Sequence, residues 1–562
     1  MNKYQIMYDA TEYADFRQML ASVTEKYPEN DAFIIKPDKT KKDYTHITYT
    51  RFQNEVRALG TALMHASLPR RRIAIIGQNR YEWMLAYFAT VLGAGLCVPL
   101  DKGLSETEIL SLLSRSEADC VIFGKEFYDI FHALSEQENC TVEKFICMDD
   151  FGELEHLSAY LRDGEARLLA GDRAYLDAPL YPSEMGIMLF TSGTTAQSKA
   201  VMLSQKNILS NIYGMCRNQK FYSTDVNMAF LPFHHTFGCV GTIMFLTHGA
   251  TTVFCDGLRY VAQNLIEYGV TVFVCVPLII EGIHKKIMHT VKKQGKAKKL
   301  RIGRILSRIL LAVGIDARRK IFKDIHAALG GRMRYIISGA SALSPEIGQA
   351  FNDFGITTVQ GYGLTETSPV LAAETIKLRR RGSVGVPLCN VEIKIDAPDE
   401  RGIGEILAKG PNVMLGYYGD KEATEAAICD GWFHTGDLGR MDRDGVLYIT
   451  GRKKNVIVLK NGKNVYPEEI ETVVSALPYV DECMVYGAPR GDDFIISIHV
   501  VYNKDYFEGK EKSEIEETVR GGIAEVNRNM AKHQYIKNIH VTDEPMEKTT
   551  TAKIKRYKAV TK

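Results

Sequence analysis

The feature that most limits what this chain can become is a set of short runs that are apolar on both faces: "RIAIIG" (72–77), "LCVPLD" (96–101), "CVIFG" (120–124), "TVFVCVP" (271–277) and "MRYIISGA" (333–340). Side chains alternate between the two faces of a strand, so a run without polar alternation has to be covered from above and below. The sequence between these runs supplies the cover. "YEWMLAYFATVLGAG" is apolar at helical spacing and closes on Gly93 and Gly95, a helix followed by its stop signal. Strands of this kind separated by helices predict layered, parallel α/β sheets.

After Gly382 the pattern changes. "VEIKIDA", "GEILAKG" and "GVLYITG" are short strands separated by turn signals such as Asp444-Gly445, which predicts a small antiparallel, β-barrel-like subdomain over about 382–451. From Arg452 onward, "YPEEIETVVSAL" sets Pro467 and three acids at a helix start, with Ile470, Val473, Val474 and Leu477 on one face. The expected organisation is a large N-terminal α/β domain, 1–451, followed by a small, mobile α+β domain, 452–562.

Composition narrows the function classes. The net charge of +2 over 562 residues gives no global field for nucleic acid. Eleven cysteines without a CxxC pair or zinc spacing read as reduced thiols in a cytoplasmic protein. The N-terminus carries early acids and no apolar core, unlike a signal peptide. No run reaches the roughly 18 apolar residues of a spanning helix. Between Lys285 and Lys323 the only acid is Asp316, and "LRIGRILSRILLAVGI" interleaves leucine and isoleucine with arginine. That segment is either an amphipathic helix in peripheral contact with the inner membrane surface or a solvated basic face.

Several polar motifs sit where strands end. "LFTSGTTAQSKAVMLS" follows an apolar run with Thr191, Ser192, Gly193, Thr194 and Thr195, then Lys199. Backbone N–H groups and hydroxyls converging in such a turn suit phosphate oxygens, and the lysine adds a mobile charge. The GxxxxGK[ST] phosphate loop is absent. "VQGYGLTETSPV" offers Tyr362 as an aromatic face for a purine and Thr365 and Glu366 as oxygen ligands for Mg²⁺ beside phosphates. "WFHTGDLG" contributes Asp437, a carboxylate able to take both ribose hydroxyls.

These motifs, in this order and over almost the whole chain, resemble the adenylate-forming superfamily of acyl-CoA synthetases, luciferase and peptide-synthetase adenylation domains. The resemblance implies ATP, Mg²⁺ and coenzyme A as cofactor and cosubstrates. It also implies roles by position. Thr191, Ser192, Gly193, Thr194, Thr195 and Lys199 match the phosphate loop; Gly339, Ala340, Ser341, Gly361 and Tyr362 match the adenine pocket. Thr365 and Glu366 match the α-phosphate and metal positions, with Thr194 as a second metal ligand. Asp437 and Arg452 match the ribose contacts, Lys454 the hinge, Gly462 the pantetheine path, and Lys553 the lysine that touches carboxylate and phosphate during adenylation.

Within "LPFHHTFG", His235 matches the acyl-pocket position where acyl-CoA synthetases carry histidine and amino-acid-activating relatives carry aspartate, which points to a plain carboxylic acid. The layout looks most like the long-chain fatty acyl-CoA synthetases. Cys239 stands where some of these place a bulky aromatic gate, with Phe237 nearby, so chain length stays open. An acyl carrier protein as the acceptor, and an inactive lipid- or nucleotide-binding adaptor, are the alternatives. Ala196, Ser198, Ala200 and Ala552 replace family Gly, Pro, Gly and Gly. Alanine costs about 1–2 kcal/mol in left-handed backbone, so φ is expected to be negative at Ala196 and Ala200.

Overall fold

The computed structural model describes every residue except 1–6, 39, 42, 192–197, 461, 462, 492, 549–553, 555 and 557–562. The chain divides into two compact units. One comprises Met1–Arg380, Gly385–Glu392 and Lys409–Ile428; the other comprises Arg381–Val384, Ile393–Ala408 and Cys429–Lys562.

The first unit holds two large sheets. One runs in the order Gly416–Tyr417, Lys199–Ser204, Met185–Thr191, Leu96–Pro99, Arg72–Ile76, Cys120–Phe123, Lys144–Cys147 and Glu155–His156. The other runs Val386–Pro387, Val370–Ala373, Thr357–Gly363, Tyr335–Ser338, Val272–Cys275, Val226–Ala229, Thr251–Phe254, Asp31–Ile35 and Thr45–Thr48. All five of the doubly apolar runs form strands in the middle of these sheets. Arg72–Ile76 lies parallel to both Leu96–Pro99 and Cys120–Phe123, and Val272–Cys275 lies parallel to Tyr335–Ser338. This is the layered α/β class the sequence predicts.

The helix within "YEWMLAYFATVLGAG" is Tyr81–Ala89, and every residue in it except Glu82 is buried. A helix apolar all round belongs in the interior. Trp83 stacks on Tyr87 at 5.7 Å and packs against Phe233 at 5.2 Å. The chain leaves the helix through a π segment, Thr90–Ala94, in which Gly93 has φ 144°. The eleven cysteines are free, as their spacing suggests.

The helix Ala297–Ala312 reverses the usual arrangement. Its inward positions are Gly303 and Ser307, whereas Ile302, Ile305, Leu306 and Ile309 are exposed. Two of its arginines hold it down: Arg304 Nε and Arg308 Nη2 reach Asp353 Oδ2 at 2.8 and 2.6 Å. Desolvation pushes the buried Asp353 carboxyl up, but these guanidiniums and Gln349 outweigh it and hold the group below the usual range.

In the second unit, Gly404–Lys409, Trp432–Met441 and Leu447–Arg452 pair antiparallel, and Gly445 turns with φ 73° between the last two. A further sheet joins Val480–Arg490, Asp493–Tyr502 and Asn538–Thr542. Helices Pro467–Val474 and Lys512–Arg528 supply Ile470, Val474, Val519 and Ile523 to the core over that sheet. Pro467 takes the first helical turn with Glu468 and Glu469, as the sequence leads one to expect.

One close approach bears on the site. Strand Thr357–Gly363 turns back against Val370–Ala373, and a Cβ on Gly363 would lie 1.8 Å from the backbone oxygen of Pro369. At Gly361 the nearest atom would be 3.7 Å away. Gly363→Ala is therefore expected to cost about 1–3 kcal/mol as overpacking and to lower the thermal midpoint. Gly361→Ala is expected to leave the midpoint within experimental error. Calorimetry on the pair checks this; equal midpoints for both variants would contradict the packing at Gly363.

Candidate nucleotide and acyl site

The segment expected to bind phosphate is flanked by two paired strands. Strands Met185–Thr191 and Lys199–Ser204 pair antiparallel with Thr191 opposite Lys199 and Phe190 opposite Ala200, and the Thr191 hydroxyl donates to the Lys199 carbonyl at 3.4 Å. Ser192, Gly193, Thr194, Thr195 and Ala196 lie outside the described residues. The far end of the turn is pinned: Arg115 Nη1 donates to Ser198 Oγ at 3.0 Å and Nη2 to the Ser198 carbonyl at 2.6 Å, while its guanidinium covers the Phe190 ring at 5.3 Å. Ala200 sits in the ladder, buried, and is not among the residues with positive φ.

Lys199 Nζ lies 4.4 Å from the ring centre of Tyr417, a cation–π contact. The Tyr417 hydroxyl donates to Glu366 Oε1 at 3.0 Å, and Met414 N–H donates to the Glu366 carbonyl at 2.8 Å. Tyr417 reaches this place because Gly416–Tyr417 forms the edge strand beside Val201 and Met202. Three sequence-distant segments thus meet: the hairpin lysine, the "YYGD" segment and the Thr365–Glu366 turn. Tyr417 and Arg115 are not found by sequence reasoning. Both act through partners on other strands, and no local pattern marks them.

The adenine-pocket positions follow Tyr335–Ser338, whose end lies beside Gln360 of the parallel neighbour. Ala340 is left-handed with φ 70°, and Leu343 N–H donates to Gln360 Oε1 at 3.0 Å. A Cβ on Gly339 would stand 2.7 Å from the Phe237 ring, so Phe237 of "LPFHHTFG" packs directly on the Gly339 backbone. Gly361 and Tyr362 occupy the adjoining strand. Thr365 and Glu366 open a short 3₁₀ turn held by Thr367 and Asn412, whose Nδ2 donates to the Thr367 carbonyl at 2.8 Å.

His235 is the N-cap of helix Thr236–Leu246. Its segment is held by Asn79, which donates to the Leu231 carbonyl at 2.7 Å and accepts from Phe233 N–H at 3.1 Å. A pocket lined by Phe230, Leu231, Phe237, Gly241, Val274 and Asn227 adjoins it. Cys239 is buried beside Tyr87, and burial lifts its thiol well above the ordinary range.

In the second unit Asp437 and Arg452 face each other across the ladder, and Arg452 Nε lies 2.6 Å from Asp437 Oδ1. Lys454 is exposed in the turn Lys453–Asn455 that follows. Gly462 and Lys553 lie outside the described residues. The residues flanking Lys553 are anchored: Lys548 pairs with Glu482 at 2.6 Å and bridges Ile554, and Arg556 binds Glu471 and the Val485 carbonyl.

With this geometry in place, the relatives are informative. Residues 20–418 match the AMP-binding enzyme family and residues 454–562 match the AMP-binding enzyme C-terminal domain. The chain is 30% identical over 497 residues to the peroxisomal long chain acyl-CoA synthetase 6 of Arabidopsis thaliana, spanning 84% of this chain and 70% of that protein. It is 27% identical over 508 residues to a long-chain-fatty-acid–CoA ligase of Mycobacterium tuberculosis, spanning 87% and 82%. The anthranilate CoA ligase AuaEII, solved with anthranoyl-AMP, shares the fold with a TM-score of 0.77 at 20% identity, covering 98% of each chain. The chain belongs to the AMP-binding, adenylate-forming enzymes, with a large N-terminal domain and the family's small C-terminal domain.

Proposed function

We propose that this protein is an AMP-forming acid–thiol ligase that activates a fatty acid with ATP and transfers the acyl group to coenzyme A. The observation that carries the reading is the chain of contacts Lys199–Tyr417–Glu366, which assembles cation, aromatic ring and carboxylate at the mouth of the hydroxyl-rich hairpin. The names of the relatives favour a long-chain acid. His235, at the position where amino-acid-activating relatives carry aspartate, agrees with a plain carboxylate.

In the first half-reaction a carboxylate oxygen bonds to the α-phosphorus of ATP while the bond to the bridging oxygen breaks, releasing pyrophosphate. In the second, the thiol of CoA attacks the carbonyl of the mixed anhydride, loses its proton, and AMP departs. The residues divide this work. Lys199, with the Thr191–Thr195 segment, holds the β- and γ-phosphates. Gly339, Ala340, Ser341, Gly361 and Tyr362 receive adenine. Asp437, its carboxylate oriented by Arg452, accepts the ribose hydroxyls. His235 stands at the partially positive end of an eleven-residue helix, a favourable place for the substrate carboxylate. Glu366 and Thr365, with Thr194, would hold Mg²⁺. The fit is good because the donors are all oxygen and Glu366 is already oriented by a hydroxyl. The ion would offset the phosphate charge during displacement. Lys553 would place a second positive charge on the oxygens that gain charge, Lys454 would serve as the hinge, and Gly462 would flank the pantetheine path.

A second reading concerns peripheral membrane contact. Ile302, Ile305, Ile309 and Val313 are 65, 53, 58 and 68% exposed on the outer side of Ala297–Ala312 and its continuation, flanked by Lys298, Lys299 and Arg301. Isoleucines in water beside cations suit the interface of an anionic bilayer, where each cation adds about 1 kcal/mol. No helix among the described residues is long and apolar enough to cross a membrane. Arg304 and Arg308 are committed to Asp353, so the outer cations and isoleucines carry this contact.

Pyrophosphate and AMP release, measured over acids of increasing length with CoA or a carrier protein as acceptor, tests the main reading. Turnover should require the acid and CoA. Lys553→Ala should lower adenylation by about 10²–10³-fold while sparing thioester formation from pre-formed acyl-adenylate. Acid-dependent turnover that survives Lys553→Ala, or preference for the carrier protein, would reject the corresponding assignment. Tyr417→Phe, which keeps the ring over Lys199 but drops the bond to Glu366, should reduce kcat/KM for MgATP roughly 3- to 30-fold; an unchanged value would mean that Glu366 needs no such orientation. Flotation with anionic liposomes should be lost when Ile302, Ile305 and Ile309 are replaced by Asp, and weakened by salt; binding that persists in the triple variant would exclude this helix as the contact.

A further inference from the structure

We infer that Asp101, His234 and His235 form a binding site for a zinc-like dication, separate from the Mg²⁺ position at Glu366. The ligand atoms of these three residues all lie within 4.8 Å of one another. Neighbouring side chains of an extended segment point to opposite sides. Here a turn, with His235 N–H donating to the Pro232 carbonyl at 3.2 Å, swings both imidazoles to one side, with ring centres 4.3 Å apart. Asp101 follows the strand Leu96–Pro99 and offers its Oδ1 to Gly103 N–H at 2.8 Å, which turns Oδ2 toward His234.

Two observations point to a ligand. His234 is only 8% exposed, and its buried Nε2 faces the Asp101 carboxylate without completing a hydrogen bond to any group, an arrangement that costs free energy unless something bridges the two. That same Nε2 lies 3.3 Å from Asp101 Oδ2, which is about the edge of a tetrahedron of ligands roughly 2.0 Å from a central zinc. Two imidazoles and one carboxylate suit zinc, cobalt or nickel, while Mg²⁺ prefers an all-oxygen shell. Three protein ligands leave a fourth position open, as in exchangeable rather than closed structural zinc sites.

The consequence for regulation rests on the proposed ligase reading. His235 there receives the acid's carboxylate, so a dication held by His235 withdraws that imidazole from the substrate. Zinc is then a reversible inhibitor, relieved by chelation.

The test uses the full chain stripped of metal and titrated with Co²⁺, followed by visible absorption. One equivalent should bind with the intense d–d bands of a tetrahedral nitrogen–oxygen site, without a thiolate-to-cobalt charge-transfer band, and Zn²⁺ should displace it. Asp101→Asn and His234→Gln should each weaken binding by more than about tenfold. His65→Gln, at a surface histidine paired with Asp172, should not. Thiolate bands, or unchanged titrations in both site variants, would overturn the site. In the pyrophosphate assay Zn²⁺ should inhibit the wild type and spare Asp101→Asn. Equal inhibition of the two would overturn the regulatory step while leaving the binding result standing. Cobalt binding by a chain without acid-dependent turnover would refute the ligase reading alone.

Discussion

In the first unit, the loops of the candidate site are brought together by parallel strand register. Val226–Ala229, Val272–Cys275, Tyr335–Ser338 and the first half of Thr357–Gly363 run in the same direction with their ends in step. The segments that leave them are therefore delivered to one edge of the sheet: the His234–His235 turn, Gly339–Ser341 and the Thr365–Glu366 turn. In the second large sheet Leu96–Pro99 runs parallel to Met185–Thr191, so Asp101 and the hydroxyl-rich hairpin also share an edge. Ligands in open α/β sheets gather at the carboxyl ends of strands because only there do loops, backbone N–H groups and side chains converge without a covering helix. Contact of the Phe237 ring with the Gly339 backbone shows how tightly two such segments are fitted.

The strands and the motif order were legible because their signals are local. A short apolar run without polar alternation, bounded by turn residues, reads as an interior strand, and a hydroxyl-rich turn after it reads as a strand end. Asp437 and Arg452 were expected as ribose contacts from their motifs, and that they face each other follows from the hairpin register. Tyr417 was not legible. Its importance comes from lying on an edge strand beside Lys199–Ser204 and across from Glu366, a tertiary fact that no window of sequence contains. Helix Ala297–Ala312 was half legible. Periodicity gives a stripe, yet it does not say which stripe faces inward, and here Gly303 and Ser307 do because Asp353 draws Arg304 and Arg308 to that side.

The alanines of the phosphate hairpin take on a definite meaning at Ala200. Opposite Phe190 in an antiparallel ladder, it has extended backbone, so a Cβ there costs nothing and fills part of the core formed with Met188, Val98 and Leu100. Glycine at such a position would add chain entropy to the unfolded state without relieving any strain. Ala340 is the contrary case. It is held left-handed at the end of an interior strand, a conformation that costs a non-glycine residue about 1–2 kcal/mol and that persists only because Phe237, Gln360 and the following turn fix the segment around it.

In the second unit the same logic is applied with charge rather than register. Glu471 is half-buried, and desolvation pushes its carboxyl up even though Arg556 lies against it. Glu468 joins the pair at 3.5 Å from Arg556 and also accepts from Asn455, one residue past the proposed hinge Lys454. The Arg556 guanidinium thus ties the C-terminal stretch to the helix Pro467–Val474, and Glu468 ties that helix to the turn after Arg452. Through Arg556, Glu471 and Glu468, the described part of the C-terminal stretch, the helix Pro467–Val474 and the turn at Asn455 are therefore held as one body.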